Sequence, residues 1–191
     1  LVPSAIAELS QRFPDVVVNL REQMGRSIDR LLLAGEIDLG LAVRRHSPPE
    51  ISAAVLYREP YVLAFRRGHE LEHTKLKRLN MIGDTPFAVF SFGSYSRDTT
   101  DSYLSRLKFL PNIRLESESL ENLLNIVAST DMCAILPRNP VSRRADLNFH
   151  DLSTPLPTRS VAVITHSRRN ASPAAREFIK LIRKCAKAEN A

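Results

Sequence analysis

The stretch from Phe13 to Val43 constrains the fold of this chain more than any other part of its sequence. It opens with the β-branched run Val16–Val18, which is typical of a strand covered on both faces. Apolar residues then recur at helical spacing, and Gly35 falls where a helix needs a left-handed residue at its C-terminus. Ile37–Val43 follows as a second apolar run. This order predicts a strand–helix–strand unit with a parallel crossover, and therefore an α/β fold.

Strand-like and helical patterns also alternate through the rest of the chain. The predicted strands are Ile51–Leu56, Tyr61–Phe65 (separated from the first by Arg58-Glu59-Pro60), Phe87–Phe90, Ile113–Leu115, Met132–Leu136 and Val161–Ile164. The predicted helices are an opening one with Val2, Ile6, Leu9 and Phe13 on one face, a short turn at Leu76–Asn80, one carrying Tyr103, Leu104 and Leu107, one from Leu120 capped by Ser119, and a final one from Pro173 capped by Ser172.

Length and composition fit one or two small domains with real cores. The chain has 191 residues, of which 43% are hydrophobic and 25% charged. No apolar run is long enough to span a membrane, no signal peptide precedes Leu1, and Cys133 and Cys185 show no metal-binding or disulfide spacing. We therefore expect a cytoplasmic protein with no cofactor, no metal and no membrane contact.

The formal net charge of +6 suggests affinity for anions, nucleic acid among them. The simpler interpretation is a solvated basic surface, because the positive charges are dispersed along the sequence and tryptophan is absent. No helix-turn-helix, zinc finger or basic zipper is visible. The outer face of the final helix is nevertheless rich in Lys and Arg.

The amino-acid sequences of several segments closely resemble the ligand-sensing domain of LysR-type transcriptional regulators. The matching segments are Phe13-Pro14-Asp15-Val16-x-Val18 with Glu22, Leu32-x-Ala34-Gly35-Glu36-Ile37-Asp38-Leu39-Gly40, Glu59-Pro60-Tyr61-Val62-Leu63, Gly68-His69-x-Leu71, Ile126-Val127-Ala128 and Ile135-Leu136-Pro137. The resemblance covers nearly the whole chain.

The resemblance implies two Rossmann-like α/β subdomains joined by two crossover strands, as in type II periplasmic binding proteins. Residues 1–62 with 160–191 would form regulatory subdomain I, and residues 63–159 regulatory subdomain II. It also implies that an N-terminal winged helix-turn-helix and a first strand precede Leu1, so that this chain begins at a truncation point. Ser129-Thr130-Asp131 replaces a glycine-rich turn of the family, which predicts a residue in a sterically costly conformation there.

Signals for enzymes are weak. His69-Glu70-Leu71-Glu72-His73 matches the His-Glu-x-x-His zinc motif, but the helix that the motif needs is not indicated, and a solvated loop is the simpler interpretation. Gly93-Ser94-Tyr95-Ser96 lacks the spacing of a nucleophile elbow. Cys133 lies in an apolar strand and is expected in the core. We therefore expect no catalytic activity.

Two strand-to-helix joints predict a binding site for a small organic anion such as a carboxylate. Gln23-Met24-Gly25 and Ser94-Tyr95-Ser96-Arg97 each follow a predicted strand and lead into a helix, whose N-terminal N–H groups favour anions. The resemblance implies effector contacts at the same two loops and adds Leu56 as an apolar wall, in a cleft between the subdomains. Ser94 and Ser96 are equally explained as helix caps, and capping and binding can coexist.

Two functions remain open. The first is the effector-sensing and oligomerisation domain of a bacterial LysR-type transcription factor, which contacts DNA only through the missing N-terminal domain. The second is a solute-binding module of the same fold that serves transport or an enzyme. The resemblance implies a homodimer or higher homo-oligomer, in which the opening helix around Ala5–Arg12 packs against the helix Leu120–Ser129 of a partner.

Overall fold

The computed structural model describes residues 1–23, 25–44, 47–74, 79–152 and 155–189. Six α-helices occur in these ranges: α1 (Val2–Arg12), α2 (Gly25–Ala34), α3 (Tyr95–Arg106), α4 (Leu120–Ser129), α5 (Arg138–Ser142) and α6 (Pro173–Glu189). The strands of the same ranges are β1 (Gly40–Val43), β2 (Ile51–Arg66), β3 (Pro86–Phe90), β4 (Asn112–Ser117), β5 (Ala134–Pro137), β6 (Leu147–His150) and β7 (Thr158–His166). Two 3₁₀ helices, Glu70–His73 and Leu79–Ile82, follow β2. Residues 76–78 of the predicted turn at Leu76–Asn80 lie outside the described ranges.

The chain divides into two compact units. Unit 1 is Leu1–Arg58 with Ser160–Ala191, and unit 2 is Glu59–Arg159. The residues at which they divide lie within β2 and β7, which are neighbours in one sheet of order β1-β7-β2-β5. The assignment of two regulatory subdomains with boundaries at 62 and 160 remains a prediction. In the described part of the chain, no helix is both long and apolar enough to cross a bilayer.

In unit 1, α1 and α6 pack together through a small apolar core. Ala5 and Leu9 of α1 are buried against Leu181 and Ile182 of α6. This confirms the predicted opening helix, although Phe13 follows its last residue and is partly exposed. The Ser172 hydroxyl accepts a hydrogen bond from the Ala175 N–H at 3.1 Å, so the predicted N-cap of α6 is confirmed.

Helix α2 ends as its sequence predicts. Gly35 has a φ of +78°, its N–H donates to the Leu32 carbonyl, and the Glu36 N–H donates to the Leu31 carbonyl. These two bonds form the motif in which a left-handed glycine satisfies the last carbonyls of a helix. The strand after it, β1, is shorter than the predicted Ile37–Val43 and pairs antiparallel with β7. Among the described strands β7 is its one partner, so the parallel pairing predicted with Val16–Leu20 is wrong.

The predicted strand at Val16–Leu20 is also wrong. The segment has no regular secondary structure, and the side chains of Val17, Val18 and Leu20 are exposed by 93%, 40% and 69%. β-branched residues favour an extended backbone, but a strand also needs a neighbour with which to exchange hydrogen bonds. No strand of the described residues pairs with this segment, and only Val16 packs against the apolar core between α1 and α6.

In unit 2, β2 is the central strand. It pairs antiparallel with β5 and β6, while β3 and β4 form a separate parallel pair. The two sets meet at an isolated bridge between Phe87 and Cys133. The side chains that fill the core on either side of β2 include Tyr61, Leu63, Phe65, Phe87 and Cys133 in one cluster and Val62, Ala64, Leu123 and Leu136 in the other.

The predicted break at Arg58-Glu59-Pro60 does not occur, because β2 runs through it without interruption. Glu59 is 2% exposed, and its carboxylate accepts hydrogen bonds from Arg159 of β7 and from the Asn139 N–H at 3.0 Å. Pro60 is exposed, and its ring is compatible with extended backbone where no ladder hydrogen bond is needed. The charged residue that suggested a loop is therefore a buried member of an ion pair.

The turn after α4 forms without the strained residue predicted at Ser129-Thr130-Asp131. Within the described ranges, Lys108 is the only non-glycine residue with a positive φ. The Thr130 hydroxyl donates to the Ile126 carbonyl and accepts from the Met132 N–H, so a side chain makes the turn. Ser119 caps α4 as predicted by accepting a hydrogen bond from the Asn122 N–H.

Candidate functional site

The predicted loop of unit 2 lies between β3 and the N-terminus of α3. Gly93 has a φ of +85°, which lets the chain turn sharply before the helix. The Ser94 hydroxyl accepts a hydrogen bond from the Arg97 N–H at 3.0 Å and so caps α3. The first N–H groups of an α-helix have no carbonyl partner inside the helix, and this applies to Ser96 here. The structure thus brings Ser94, Tyr95, Ser96 and Arg97 together at one helix terminus.

The hydroxyl of Ser96 is held in place by a hydrogen bond from Tyr61. The Tyr61 OH donates to Ser96 Oγ at 2.9 Å, and both side chains are buried. Burial raises the pKa of Tyr61, and the hydrogen bond to Ser96 opposes this only in part, so the phenol remains a donor. Ser96 Oγ therefore accepts one hydrogen bond from Tyr61, and the proton of its own hydroxyl is left to donate.

Arg97 connects three elements of unit 2. Its Nε donates to Asp101 at 2.7 Å, and one Nη donates to the Phe90 carbonyl at 2.7 Å and to Glu116 at 3.0 Å. The exposed ring of Phe92 lies 4.2 Å from its guanidinium carbon. Burial disfavours the charged form, but the bonds to Glu116 and Asp101 outweigh it, and the pKa of Arg97 is raised. Arg97 thus stays charged, is paired with two carboxylates, and holds the loop to β3 and β4.

The remaining predicted residues belong to unit 1. Gly25 opens α2, and Gln23 before it is exposed, whereas Met24 lies outside the described residues. Leu56 of β2 is half-buried and packs against the apolar core between α1 and α6. The Leu56 side chain, which was predicted to be an apolar wall of the binding site, therefore also stabilises this core.

The His-Glu-x-x-His segment forms a 3₁₀ helix rather than an α-helix, and its first histidine is buried. His69 Nδ1 accepts from the Leu71 N–H at 3.1 Å, and Nε2 lies 3.2 Å from the Asp131 carbonyl, to which it donates. The interpretation as a solvated loop is therefore wrong. Among the residues the structure describes, no three His, Cys, Asp or Glu side chains are grouped closely enough to hold a metal ion.

Cys133 lies in the core, as its sequence context predicts. It is fully buried, and desolvation, with smaller contributions from Glu70 and Asp131, raises the pKa of its thiol to about 12. A neutral, inaccessible thiol is a poor nucleophile.

Several residues that support the α3 terminus escaped prediction. Tyr61 and Glu116 reach it from distant strands, and no local signal reveals such a contact. The Arg97–Asp101 pair could have been found, because residues four apart on a helix face each other.

Comparison with known families gives one match over most of the chain. The model of the LysR substrate binding domain matches residues 1–186. Among curated relatives, the uncharacterized HTH-type transcriptional regulator YybE of Bacillus subtilis is 24% identical over 178 residues, which is 93% of this chain and 61% of the relative. The probable hydrogen peroxide-inducible genes activator of Mycobacterium avium is 22% identical, with 95% and 60% covered. The chain thus spans about 60% of the length of such relatives.

Solved structures agree with this match. The regulatory domain of CcmR from Synechocystis PCC6803, solved in complex with 2-PG, superposes with a TM-score of 0.85 at 20% identity, covering 97% of this chain and 91% of that one. The effector binding domain of QuiR in complex with shikimate gives a TM-score of 0.81 at 18% identity, with 98% and 90% covered. These likenesses confirm the predicted α/β fold of the type II periplasmic-binding-protein kind.

Proposed function

Because this chain belongs to the family of LysR substrate binding domains, we propose that it is the effector-sensing domain of a LysR-type transcription regulator. Its effector is a small organic anion, such as a carboxylate. The observation that carries this proposal is the N-terminus of α3, where Ser94 caps the helix and Tyr61 orients the Ser96 hydroxyl.

Two properties of this terminus favour an anion. The first-turn N–H groups and the positive end of the helix dipole attract negative charge. The Ser96 hydroxyl, which accepts from Tyr61, has its proton available for a ligand oxygen. The guanidinium of Arg97 is paired with two carboxylates, those of Asp101 and Glu116, and also donates to the Phe90 carbonyl. We therefore assign Arg97 to positioning the loop.

Unit 1 contributes Gln23, Gly25 and Leu56 in this proposal. Gly25 begins α2, so the same helix-terminus argument applies to it. The relatives support a small ligand in general, since the QuiR domain is solved with shikimate and the CcmR domain with 2-PG. Which acid this chain binds is a matter for a screen.

Assembly and DNA recognition complete the proposal. The domain forms a homodimer in which α1 of one copy packs on α4 of the other. Recognition of an operator sequence belongs to a part of the regulator that this chain does not include, since the curated relatives are about 60% spanned by it. This chain has no catalytic role in the proposal.

The test is a thermal-shift screen of metabolite acids, shikimate among them, on the wild-type chain and on three serine variants. Ser94→Ala removes a helix cap at the proposed site, and Ser119→Ala removes the equivalent cap of α4. Each of these two should lower stability by about 1 kcal/mol. The third, Ser96→Ala, removes the hydroxyl that Tyr61 orients. We expect the acid-induced shift to fall in Ser94→Ala and Ser96→Ala and to be unchanged in Ser119→Ala. A shift that survives in both of the first two would locate the site elsewhere.

A further inference from the structure

We propose that the outer face of α6 binds the phosphodiester backbone of a nucleic acid without regard to sequence. The basic stripe that would do so consists of Arg176, Lys180, Arg183, Lys184 and Lys187. From the sequence the positive charges look dispersed, but these five of the 27 Lys and Arg residues lie along one exposed side of one helix. This function is separate from effector sensing and uses no residue of the proposed effector site.

The helix arranges these charges in a row. Positions three and four apart lie on the same side of an α-helix, so the stripe follows the helix axis. Its last four members line a surface groove of about 660 Å³. From Lys180 to Lys187 the helix rises about 10 Å, at roughly 1.5 Å per residue. A regular chain of phosphates can meet several of these cations at once, whereas a single small anion cannot.

The acidic neighbours of the stripe neutralise only part of it. Lys180 pairs with Glu177 at 3.1 Å, and Lys184 pairs with Glu8 at 3.0 Å. Both lysines are about 70% exposed in these pairs, and exposed ion pairs of this kind are weak, so phosphate can replace the carboxylate. Within the described residues, neither Arg183 nor Lys187 has a carboxylate at ion-pair distance.

The opposite face of α6 argues against insertion of the helix into a membrane. Leu181, Ile182 and Ala186 are buried, and the first two pack against α1. A helix that lies in a bilayer surface inserts an apolar face between the lipids. The apolar face of α6 is already used by the protein core, so the stripe offers charge alone. Charge alone suffices to bind a nucleic-acid backbone. It also attracts an anionic bilayer surface, and vesicle binding is therefore measured beside duplex binding.

The experiment measures binding of the full chain to a fluorescein-labelled duplex of mixed sequence by anisotropy, as a function of salt. If the four groove cations each displace one counterion, the binding constant should fall about 150-fold between 50 and 200 mM salt. The variant Arg183→Glu/Lys187→Glu removes two contacts and should reduce the slope of log K against log salt by about 1.8. The neutral variant Arg183→Gln/Lys187→Gln should reduce it similarly, and guards against misfolding caused by new acidic residues.

The matched control is Arg106→Glu/Arg114→Glu, which changes the net charge equally but on exposed positions of unit 2. Its slope of log K against log salt should differ from the wild-type slope by less than about 0.9, which is the change expected for one phosphate contact. Equal losses in the control and in the α6 variants would overturn the proposal, because overall charge would then explain binding. Binding of phosphatidylserine vesicles through the stripe, with none of the duplex, would also overturn it. Preference for one duplex sequence over another would overturn the backbone mode.

Discussion

Replacing Arg159 by Met should destabilise the chain severely, because it leaves the Glu59 carboxylate buried without its partner. Glu59 is 2% exposed and receives two donors from Arg159, Nε at 2.8 Å and Nη2 at 2.6 Å, with the Asn139 N–H as its remaining partner. The Arg159 side chain is itself only 11% exposed. Water therefore cannot easily take the place of the guanidinium.

Breaking a buried pair from one side costs about 3–5 kcal/mol. For a chain of this size, that loss corresponds to a fall in Tm of about 6–20 °C. Urea unfolding followed by far-UV circular dichroism measures the free energy, since the chain has no tryptophan for fluorescence. The double variant Glu59→Gln/Arg159→Met should recover much of the loss, because no charge is then buried alone.

The control is Arg138→Met, which breaks the pair with Asp151, where the side chains are 40% and 60% exposed. That loss should stay below about 1 kcal/mol. If Arg159→Met lowers the free energy of unfolding no more than Arg138→Met does, the reasoning is refuted. The reasoning is also refuted if Glu59→Gln/Arg159→Met is as unstable as Arg159→Met alone.

Two further predictions concern a thiol and the proposed dimer. The thiol of Cys133 should resist iodoacetamide at pH 8 while half-buried Cys185 reacts, because the pKa of Cys133 is raised from its ordinary 9.0 to about 12. The unfolded thiol loses its proton first, so stability should fall as the pH rises from 9 towards 12, and Cys133→Ala should flatten that fall in urea titrations. For the dimer, sedimentation should detect association of the wild-type chain at micromolar concentration. Ala7→Arg, on the exposed face of α1, should abolish this association, whereas Ser105→Arg on α3 should leave it intact. Purely monomeric wild-type chain at high micromolar concentration would contradict the proposed assembly.

Features that depend on neighbouring residues could be predicted from the sequence. The end of α2 at Gly35, the caps of α4 and α6, and the turn from β3 into α3 are each decided by a side chain or a glycine within a few positions. The four residues of the proposed site in unit 2 belong to this class. Their grouping follows from one helix terminus, which a strand, a Gly-Ser joint and a helical stripe already indicate.

Features that depend on distant partners could not be predicted. Val16–Leu20 has the composition of a strand but no neighbouring strand among the described residues, and composition alone cannot supply one. Glu59 suggested a loop because its partner, Arg159, lies 100 residues away. His69 suggested either zinc or solvent, and its real contacts are the Leu71 N–H and the Asp131 carbonyl. In each case a long-range contact outweighed the local pattern.

The most direct test of the proposed effector site is a nuclear magnetic resonance titration of the chain with the acid that stabilises it most in the thermal screen. The backbone amide signal of Ser96 should move most, because an anion at α3 accepts a hydrogen bond from that group. The amides of Leu120 and Glu121, at the equally capped start of α4, should stay unchanged and serve as the internal control. Saturable shifts at α4, or anywhere in the chain while Ser96 stays unmoved, would contradict the account.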